Sequence, residues 1–336
     1  MKRKIWIGIT IVVVVVIMLV ATALMNSCAK QPSQKKLDLV LAVNVTTYSG
    51  PVYIALAKGF WEEEGLKITR KDFAAGRFCL DAILGGKADF GTVAEAPMVF
   101  VGLTGQKALI IATMASGDNE MKVIARKDHG IVSPLDIKGK KVAALVSTVS
   151  EFFLYLFLNE HGMTMSNINF VNLKPAEMPN ALINGDIDAF AVWEPFVYNA
   201  GKVLNEKATV LSSKGLYDIP FNIVIPEELA QKYPETIEAI LRGLHKAEQF
   251  IGTNRKEALE IISKEVGLST DVLEELAKDI KFELMLNNST IDLMEREAKW
   301  AIEAGYAPKD AKIPDYRSLF YTKALKSLNP KAVTIE

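Results

Sequence analysis

The stretch Ala82-Ile-Leu-Gly-Gly-Lys-Ala-Asp-Phe-Gly-Thr-Val-Ala-Glu95 is matched 99 residues later by Ala181-Leu-Ile-Asn-Gly-Asp-Ile-Asp-Ala-Phe-Ala-Val-Trp-Glu194. The two stretches align without a gap, and the identical pairs are Ala82/Ala181, Gly86/Gly185, Asp89/Asp188, Val93/Val192 and Glu95/Glu194. Each copy predicts a helix end, a glycine cap, a short buried strand, and a glutamate where the strand stops. This shared order indicates a structural duplication.

The flanks of the two copies continue the parallel. The elements predicted there are the strands Leu37–Val45, Lys67–Phe73, Lys141–Leu145 and Ile168–Leu173 and the helices Pro51–Lys58 and Ser150–Glu160. Each half then has the order β-α-β-α-β, which requires right-handed crossovers and a mainly parallel sheet. We therefore predict an α/β protein of two lobes. Ligands of such sheets bind beyond the carboxyl ends of the strands, so facing lobes would share one cleft.

The C-terminal third is predicted to be mostly helical after a strand at Phe221–Ile225. Its predicted helices are Pro234–Gly252, Arg255–Val266, Thr270–Lys278 and Ile291–Ala304. We expect this region to pack on lobe one, so that the chain crosses between lobes twice, near Met121–Lys127 and Tyr217–Asn222. Two crossings form a hinge that suits closure on a ligand. The predicted domains are residues 37–124 (lobe one), 125–220 (lobe two) and 221–336 (return to lobe one).

The N-terminus has the pattern of an export signal or a membrane span. Lys2, Arg3 and Lys4 precede an uncharged apolar run, Ile5–Met25, which is just long enough to cross a bilayer. Residues 1–27 are the predicted signal or membrane segment, and residues 28–36 have the composition of a linker. The segment resembles a bacterial lipoprotein signal, which implies lipidation of Cys28; the alternative is an uncleaved anchor helix. Either places the body outside the cytoplasm, attached to a membrane.

Composition excludes several classes of function. Residues 1–27 carry three of the 39 Lys and Arg and none of the 40 Asp and Glu, so the body is acidic and unsuited to nucleic acid. Apart from Cys28 the sequence has a single cysteine, Cys79, which rules out an intrachain disulfide in the body. His129, His161 and His245 lie too far apart to predict a metal site. Phosphate-binding loops and a nucleophile elbow are missing, so we predict a monomer without a cofactor and not an enzyme.

Several motifs together resemble the substrate-binding proteins of ABC importers for sulfonates, nitrate, taurine and thiamine-pyrimidine precursors. They are Gly59-Phe-Trp-Glu-Glu-Glu-Gly-Leu66, Ala75-Gly76, Gly86-Lys-Ala-Asp-Phe-Gly91, Asp136-Ile-Lys-Gly-Lys-Lys-Val142, Ser147-Thr-Val-Ser150 and Trp193-Glu-Pro-Phe196. The resemblance covers about residues 38–310. It implies a type II periplasmic-binding-protein fold that captures a small organic solute and delivers it to a permease and its ATPase.

Two loops at helix starts are candidate ligand sites. Ser147, Thr148 and Ser150 open the most apolar helix of lobe two, where Thr148 and Glu151 fit a capping box. Hydroxyls beside the free N–H groups of a helix N-terminus can also hold an anionic group, and the resemblance points to the same loop. In lobe one, Gly76 lets a ligand approach the backbone. The neighbouring Arg77 could clamp an anion or be an exposed arginine at a helix start.

Strand ends and the hinge supply the other candidates. Glu95 and Glu194 could accept a hydrogen bond from a ligand amine, or serve only at the starts of helices. Trp193 could offer its ring and N–H to a ligand, or belong to the core. The remaining candidates are Thr47 and Tyr48, after the first strand, and Asn222, which we expect to reach the ligand from the hinge.

Two other functions compete with solute capture. A tethered sensor domain would report its ligand to another membrane protein. An enzyme of the pyrimidine-synthesis type would share the fold, but such relatives carry a cysteine-rich motif, whereas Cys79 stands alone. Sulfonate, taurine-like, pyrimidine and nitrate ligands all remain open at this stage, and Glu95 favours a ligand with a hydrogen-bond donor.

Overall fold

The computed structural model describes residues 35–211 and 214–335. The predicted signal segment and Cys28 lie outside this range, so the predictions for them stay predictions. Within these residues, the helices are all too short or too polar to cross a membrane.

The strands of the described chain form two sheets. Their bounds are β1 Asp38–Asn44, β2 Lys67–Phe73, β3 Phe90–Ala94, β4 Ala108–Gly117, β5 Met121–Arg126, β6 Lys141–Ala144, β7 Asn169–Asn172, β8 Ala189–Trp193, β9 Ala208–Leu211, β10 Ile219–Pro226 and β11 Ile280–Lys281. The first sheet has the order β11-β4-β10-β3-β1-β2 and the second the order β7-β6-β8-β5-β9. In both, three parallel strands adjoin an antiparallel partner.

Helices cover both sheets. Their bounds are α1 Gly50–Ala57, α2 Phe60–Glu63, α3 Gly76–Leu84, α4 Glu95–Thr104, α5 Val149–Glu160, α6 Met178–Asn184, α7 Phe196–Leu204, α8 Glu227–Lys232, α9 Pro234–Thr253, α10 Arg255–Val266, α11 Thr270–Leu276, α12 Asn288–Glu303 and α13 Thr322–Leu328. The predicted β-α-β-α-β order is confirmed in each half. The C-terminal helices pack on lobe one as predicted, α9 against α1 and α2, and α12 against α4.

The repeat is a true structural duplication. Strands β3 and β8 begin and end 99 residues apart, and every residue of both is buried, as expected where helices cover both faces of a parallel sheet. The repeated aspartates have the same role. Asp89 Oδ2 accepts a hydrogen bond from the Val40 N–H at 2.8 Å, and Asp188 Oδ2 accepts one from the Lys141 N–H at 2.9 Å. Each fixes the entry of its strand against the neighbouring strand.

The crossings between the sheets lie slightly off their predicted positions. Met121–Arg126 is strand β5 of the second sheet, so the first crossing is the short segment 118–120 before it. The second crossing falls between β9 and β10, and its described residues are 214–218. Residues 219–222, which we had assigned to the hinge, belong to β10 within the first sheet. The division into the predicted domains remains a prediction, although the sheets follow it closely.

Candidate functional site

A buried cavity, here called the cleft cavity, lies where the two sheets face each other. Its lining residues are Asn44, Thr46, Tyr48, Gly76, Arg77, Ala94, Pro97, Glu120, Met121, Thr148, Val149, Trp193, Ile219 and Phe221. They come from the carboxyl ends of β1, β3 and β8 and the loop after β1, from the starts of α3, α4 and α5, from the first crossing and the start of β5, and from the start of β10. The cavity volume of about 30 Å³ leaves room for one or two water molecules. The lobes are thus closed, and a larger solute enters only when they separate.

Three polar atoms in the cavity wall have no partner. Asn44 Nδ2, Tyr48 Oη and Trp193 Nε1 are buried and form no hydrogen bond within the described residues. Each can donate a hydrogen bond, and of the three only the tyrosine hydroxyl can also accept one. Leaving such a group unpaired costs about 1–3 kcal/mol. A ligand that brings acceptor atoms would satisfy these groups.

Arg77 adds a positive charge to the same wall. Its Nη1 donates a hydrogen bond to the Val146 carbonyl oxygen at 2.8 Å, which joins α3 of lobe one to the loop before α5 of lobe two. The side chain is half-buried, so the arginine is not simply exposed at a helix start. Gly76 favours this geometry, because a Cβ there would lie 3.2 Å from Val93 Cα, closer than an ordinary contact. The glycine keeps α3, and hence Arg77, close to the end of β3.

Glu120 supplies a carboxyl group to the cavity wall. It lies in the first crossing and accepts hydrogen bonds from the hydroxyl groups of Thr46 and of Thr47, the latter at 2.6 Å. Burial raises the pKa of Glu120 to about 7, although the two threonine hydrogen bonds lower it. The carboxyl group can therefore change its charge near neutral pH. Thr47 orients this carboxyl and is absent from the cavity wall.

The comparisons with known proteins agree with this architecture. The model of the family described as NMT1/THI5 like matches residues 46–258, more than half of the chain. The chain belongs to the NMT1/THI5-like family.

Individual relatives are binding proteins. The taurine-binding periplasmic protein of Escherichia coli is 29% identical over 221 residues, which are 62% of this chain and 66% of that protein. The periplasmic aliphatic sulphonate binding protein SsuA of Escherichia coli superposes with a TM-score of 0.71 at 21% identity, covering 86% of this chain and 93% of that one. The alkanesulfonate-binding protein SsuA from Xanthomonas axonopodis pv. citri, bound to MOPS, superposes with a TM-score of 0.72 at 19% identity. The match covers 86% of this chain and 100% of that one. These similarities confirm the periplasmic-binding-protein fold and the expectation of a binding protein.

Two predicted ligand residues, Ser150 and Asn222, already form their hydrogen bonds within the protein. The Ser150 hydroxyl donates to the Ala191 carbonyl oxygen at 2.6 Å and accepts from the Leu145 N–H at 3.0 Å. The Asn222 side chain accepts from the Thr113 hydroxyl and donates to the Pro220 carbonyl oxygen. Both residues are fully buried, and neither lines the cleft cavity. Strand β10 carries Asn222 inside the first sheet, so a ligand contact at this residue stays a prediction that the cavity lining does not support.

The start of α5 differs from a capping box. The Thr148 hydroxyl accepts from the Ser150 N–H at 3.2 Å, two residues along the chain, and donates to the Leu145 carbonyl oxygen. Glu151 reaches back to the Ser147 N–H rather than to Thr148. Ser147, at a φ of 57°, stands outside the cavity wall, whereas Thr148 lines it. The loop borders the cavity as expected, but through Thr148 and Val149 only.

The repeated glutamates also lie outside the cavity wall. Glu194 Oε1 pairs with Lys122 Nζ at 2.9 Å, and its Oε2 accepts from the Tyr198 N–H at 2.8 Å, so it stabilises the start of α7. Glu95 is fully buried and accepts a hydrogen bond from Tyr217, whose hydroxyl also lies 2.6 Å from Glu297 Oε1. Burial and the Glu297 carboxyl raise the pKa of Glu95 well above its usual value. A ligand contact at Glu95 stays a prediction, and the burial of this carboxyl beside Tyr217 and Glu297 does not support it.

Sequence reasoning missed Asn44 and Glu120. Asn44 is the last residue of β1, and the rule that ligands bind at carboxyl ends of parallel strands could have nominated it. Glu120 lies in a crossing of three residues, where no periodic pattern marks it. Trp193, Tyr48, Gly76 and Arg77 do line the cavity.

Proposed function

We propose that the protein is the extracytoplasmic solute-binding component of an ABC importer. In this proposal its lobes close on a small organic anion, and the closed form delivers the anion to a permease and its ATPase. The single observation that carries the proposal is the set of unpartnered donors, Asn44 Nδ2, Tyr48 Oη and Trp193 Nε1, in a cavity between two closed lobes. An oxyanion satisfies several donors at once because each of its oxygens accepts more than one hydrogen bond.

The favoured ligand class is a sulfonate or carboxylate that also carries an amine. Arg77 and the free donors suit the anionic end. Glu120, in its ionised form, suits an ammonium group at the other end. The names of the taurine-binding and sulphonate-binding relatives agree with this class. A purely anionic solute such as nitrate would bring no positive charge to balance the Glu120 carboxylate.

The location and partners follow from the same reading. The relatives named above are periplasmic, so the body works outside the cytoplasm. Attachment to the membrane, through a lipid on Cys28 or through an uncleaved N-terminal helix, completes the proposal. A monomer with an acidic body, which has no use for nucleic acid, suits repeated docking to one permease.

A matched series of solutes tests the proposal. Taurine has both charged ends, ethanesulfonate lacks the ammonium, and ethylamine lacks the sulfonate. A ligand at one hundred times its dissociation constant stabilises the fold by about 2.7 kcal/mol. In thermal unfolding of the full chain we expect a raised melting temperature with taurine, a smaller rise with ethanesulfonate and none with ethylamine. Stabilisation by ethylamine or by a pyrimidine, with none by either sulfonate, would contradict the assignment.

A further inference from the structure

A second and larger cavity lies behind the hinge. This cavity, here called the hinge pocket, has a volume of about 460 Å³ and is bounded by α5, α12 and the crossing residues Leu216, Tyr217 and Asp218. It shares no lining residue with the cleft cavity. Successive side chains of a strand point to opposite faces, and Pro220 of β10 lines the hinge pocket while Ile219 and Phe221 line the cleft cavity. The two cavities therefore lie on opposite sides of β10.

The floor of the hinge pocket is aromatic and comes from both lobes. Phe152 and Tyr155 project from α5, and Trp300 projects from α12. The ring centroids of Phe152 and Trp300 are 5.2 Å apart, and those of Tyr155 and Trp300 are 5.8 Å apart. Small-molecule sites typically have volumes of about 300–1,000 Å³ and mostly apolar walls. The hinge pocket has the size and the walls of such a site.

The rim of the hinge pocket carries two free cations. Arg296 and Lys299 are exposed, lie three residues apart on one face of α12, and form neither an ion pair nor a hydrogen bond with any described residue. Two acidic residues also line the pocket. Glu303 is exposed at the end of α12, and the charge of Asp218 is partly balanced by the nearby Lys281. Arg296 and Lys299 thus line the same pocket as the aromatic side chains.

We propose that the hinge pocket is a second binding site, which takes a small aromatic organic acid. The aromatic body would pack on Tyr155 and Leu156, beside the buried rings of Phe152 and Trp300, and the acid group would pair with Arg296 and Lys299. Such a ligand would touch both lobes at once. This site shares no lining residue with the cleft cavity, and the proposal holds whichever solute the cleft binds.

Binding of 1-naphthoate to the full chain, followed by titration calorimetry, tests the site. The variant Arg296→Ala/Lys299→Ala removes both rim cations. We expect saturable binding to the unaltered protein and a dissociation constant raised at least tenfold in the variant. The matched control is Lys323→Ala/Lys326→Ala, which removes two exposed lysines with the same spacing from α13 and should leave binding unchanged. All four changes are at exposed positions, so the variants should melt like the unaltered protein.

A second pair of measurements separates the hinge pocket from the cleft. Trp193→Phe removes a free donor of the cleft cavity and should leave naphthoate binding intact. Ser289→Trp, at the exposed start of α12, should block the hinge pocket and abolish naphthoate binding without altering taurine binding. Loss of naphthoate binding in Trp193→Phe, or its persistence in both hinge-pocket variants, would overturn the proposal. So would the absence of saturable binding, whatever the cleft binds.

Discussion

At the scale of the residue, Glu120 makes ligand affinity depend on pH. Its pKa of about 7 in the closed cavity means that the ionised form, which can hold an ammonium group, becomes dominant only above neutrality. We expect the association constant for taurine to rise about tenfold between pH 6 and pH 8. Glu120→Gln should weaken binding and remove this rise, as measured by calorimetry across the pH range. A rise that persists in Glu120→Gln would assign it to another group.

The buried pair Glu95 and Glu297 makes stability depend on pH. Burial raises the pKa of Glu297 to about 8, and the pKa of Glu95 is raised as well. Because both are higher in the folded than in the unfolded chain, the folded state binds protons more tightly, and its stability falls as pH rises from about 5 through 8. Denaturant unfolding should show a loss on the order of a few kcal/mol over this window. Glu297→Gln should flatten the profile, whereas Glu295→Gln, a half-buried neighbour on α12, should not.

Sequence patterns predicted which residues recur, but not what they contact. Asp89 and Asp188 recur because each accepts a hydrogen bond from a backbone N–H of the neighbouring strand. The repeat therefore marks two residues with the same structural role. Glu95 and Glu194 recur at equivalent points of the backbone, yet one is bonded to Tyr217 and the other to Lys122. Those partners come from the hinge and from the antiparallel strand β5. Local sequence therefore could not reveal them.

At the scale of the element, helix α9 provides a matched pair of glycines. A Cβ at Gly243 would lie 2.2 Å from Cδ1 of Trp61, a fully buried side chain on α2 whose Nε1 donates to the Ile240 carbonyl oxygen. Gly252, near the end of the same helix, has nothing within 4 Å of that position.

We expect Gly243→Ala to destabilise the protein by about 1–3 kcal/mol through overpacking. Gly252→Ala should stabilise it by up to about 1 kcal/mol, because alanine favours the helix more than glycine does. Thermal and denaturant unfolding measure both. Equal effects of the two changes would show that Trp61 can move away from a Cβ at position 243 without loss of stability.

Elements were predictable where periodicity and caps agree. Helix α10 has the predicted bounds Arg255–Val266, and β2 has the predicted bounds Lys67–Phe73. The crossings were less predictable, because three residues at 118–120 carry too little pattern to separate a hinge from the strand Met121–Arg126 that follows. Because the crossing was misplaced, the sequence did not nominate Glu120 as a site residue.

At the scale of the whole molecule, contacts between the lobes should set the balance of open and closed forms. The Tyr306 hydroxyl, after α12, donates to Glu151 Oε1 at the start of α5. Loss of one such hydrogen bond costs about 1–2 kcal/mol, and the cost falls on the closed form alone. Tyr306→Phe should therefore weaken solute binding about tenfold.

Calorimetry with taurine, together with the radius of gyration from small-angle scattering, measures that effect. The radius of the ligand-free variant should increase as the open form gains population. Tyr321→Phe is the control, since its hydroxyl forms no hydrogen bond with the described residues and should change neither quantity. Unchanged affinity in Tyr306→Phe would mean that this contact does not help to hold the lobes closed.

The two-lobed architecture was predictable because the duplication leaves the same sequence pattern in both halves of the chain. The binding chemistry was not, because it depends on side chains that meet only after the lobes close. Tyr48 of lobe one and Trp193 of lobe two are 145 residues apart in the chain, and no local pattern links them.

The most direct measurement is calorimetric titration of the full chain with taurine and ethanesulfonate, comparing Tyr48→Phe and Trp193→Phe with the unaltered protein. Each change removes one unpartnered donor; Tyr48→Phe keeps the ring, whereas Trp193→Phe replaces the indole with a smaller aromatic ring. The control Tyr316→Phe removes a buried hydroxyl bonded to Val99, outside the cavity wall. We predict one site per chain, at least tenfold weaker binding in both cleft variants and unchanged affinity in the control. Unchanged affinity in both cleft variants, or the absence of saturable binding of either anion, would contradict the account.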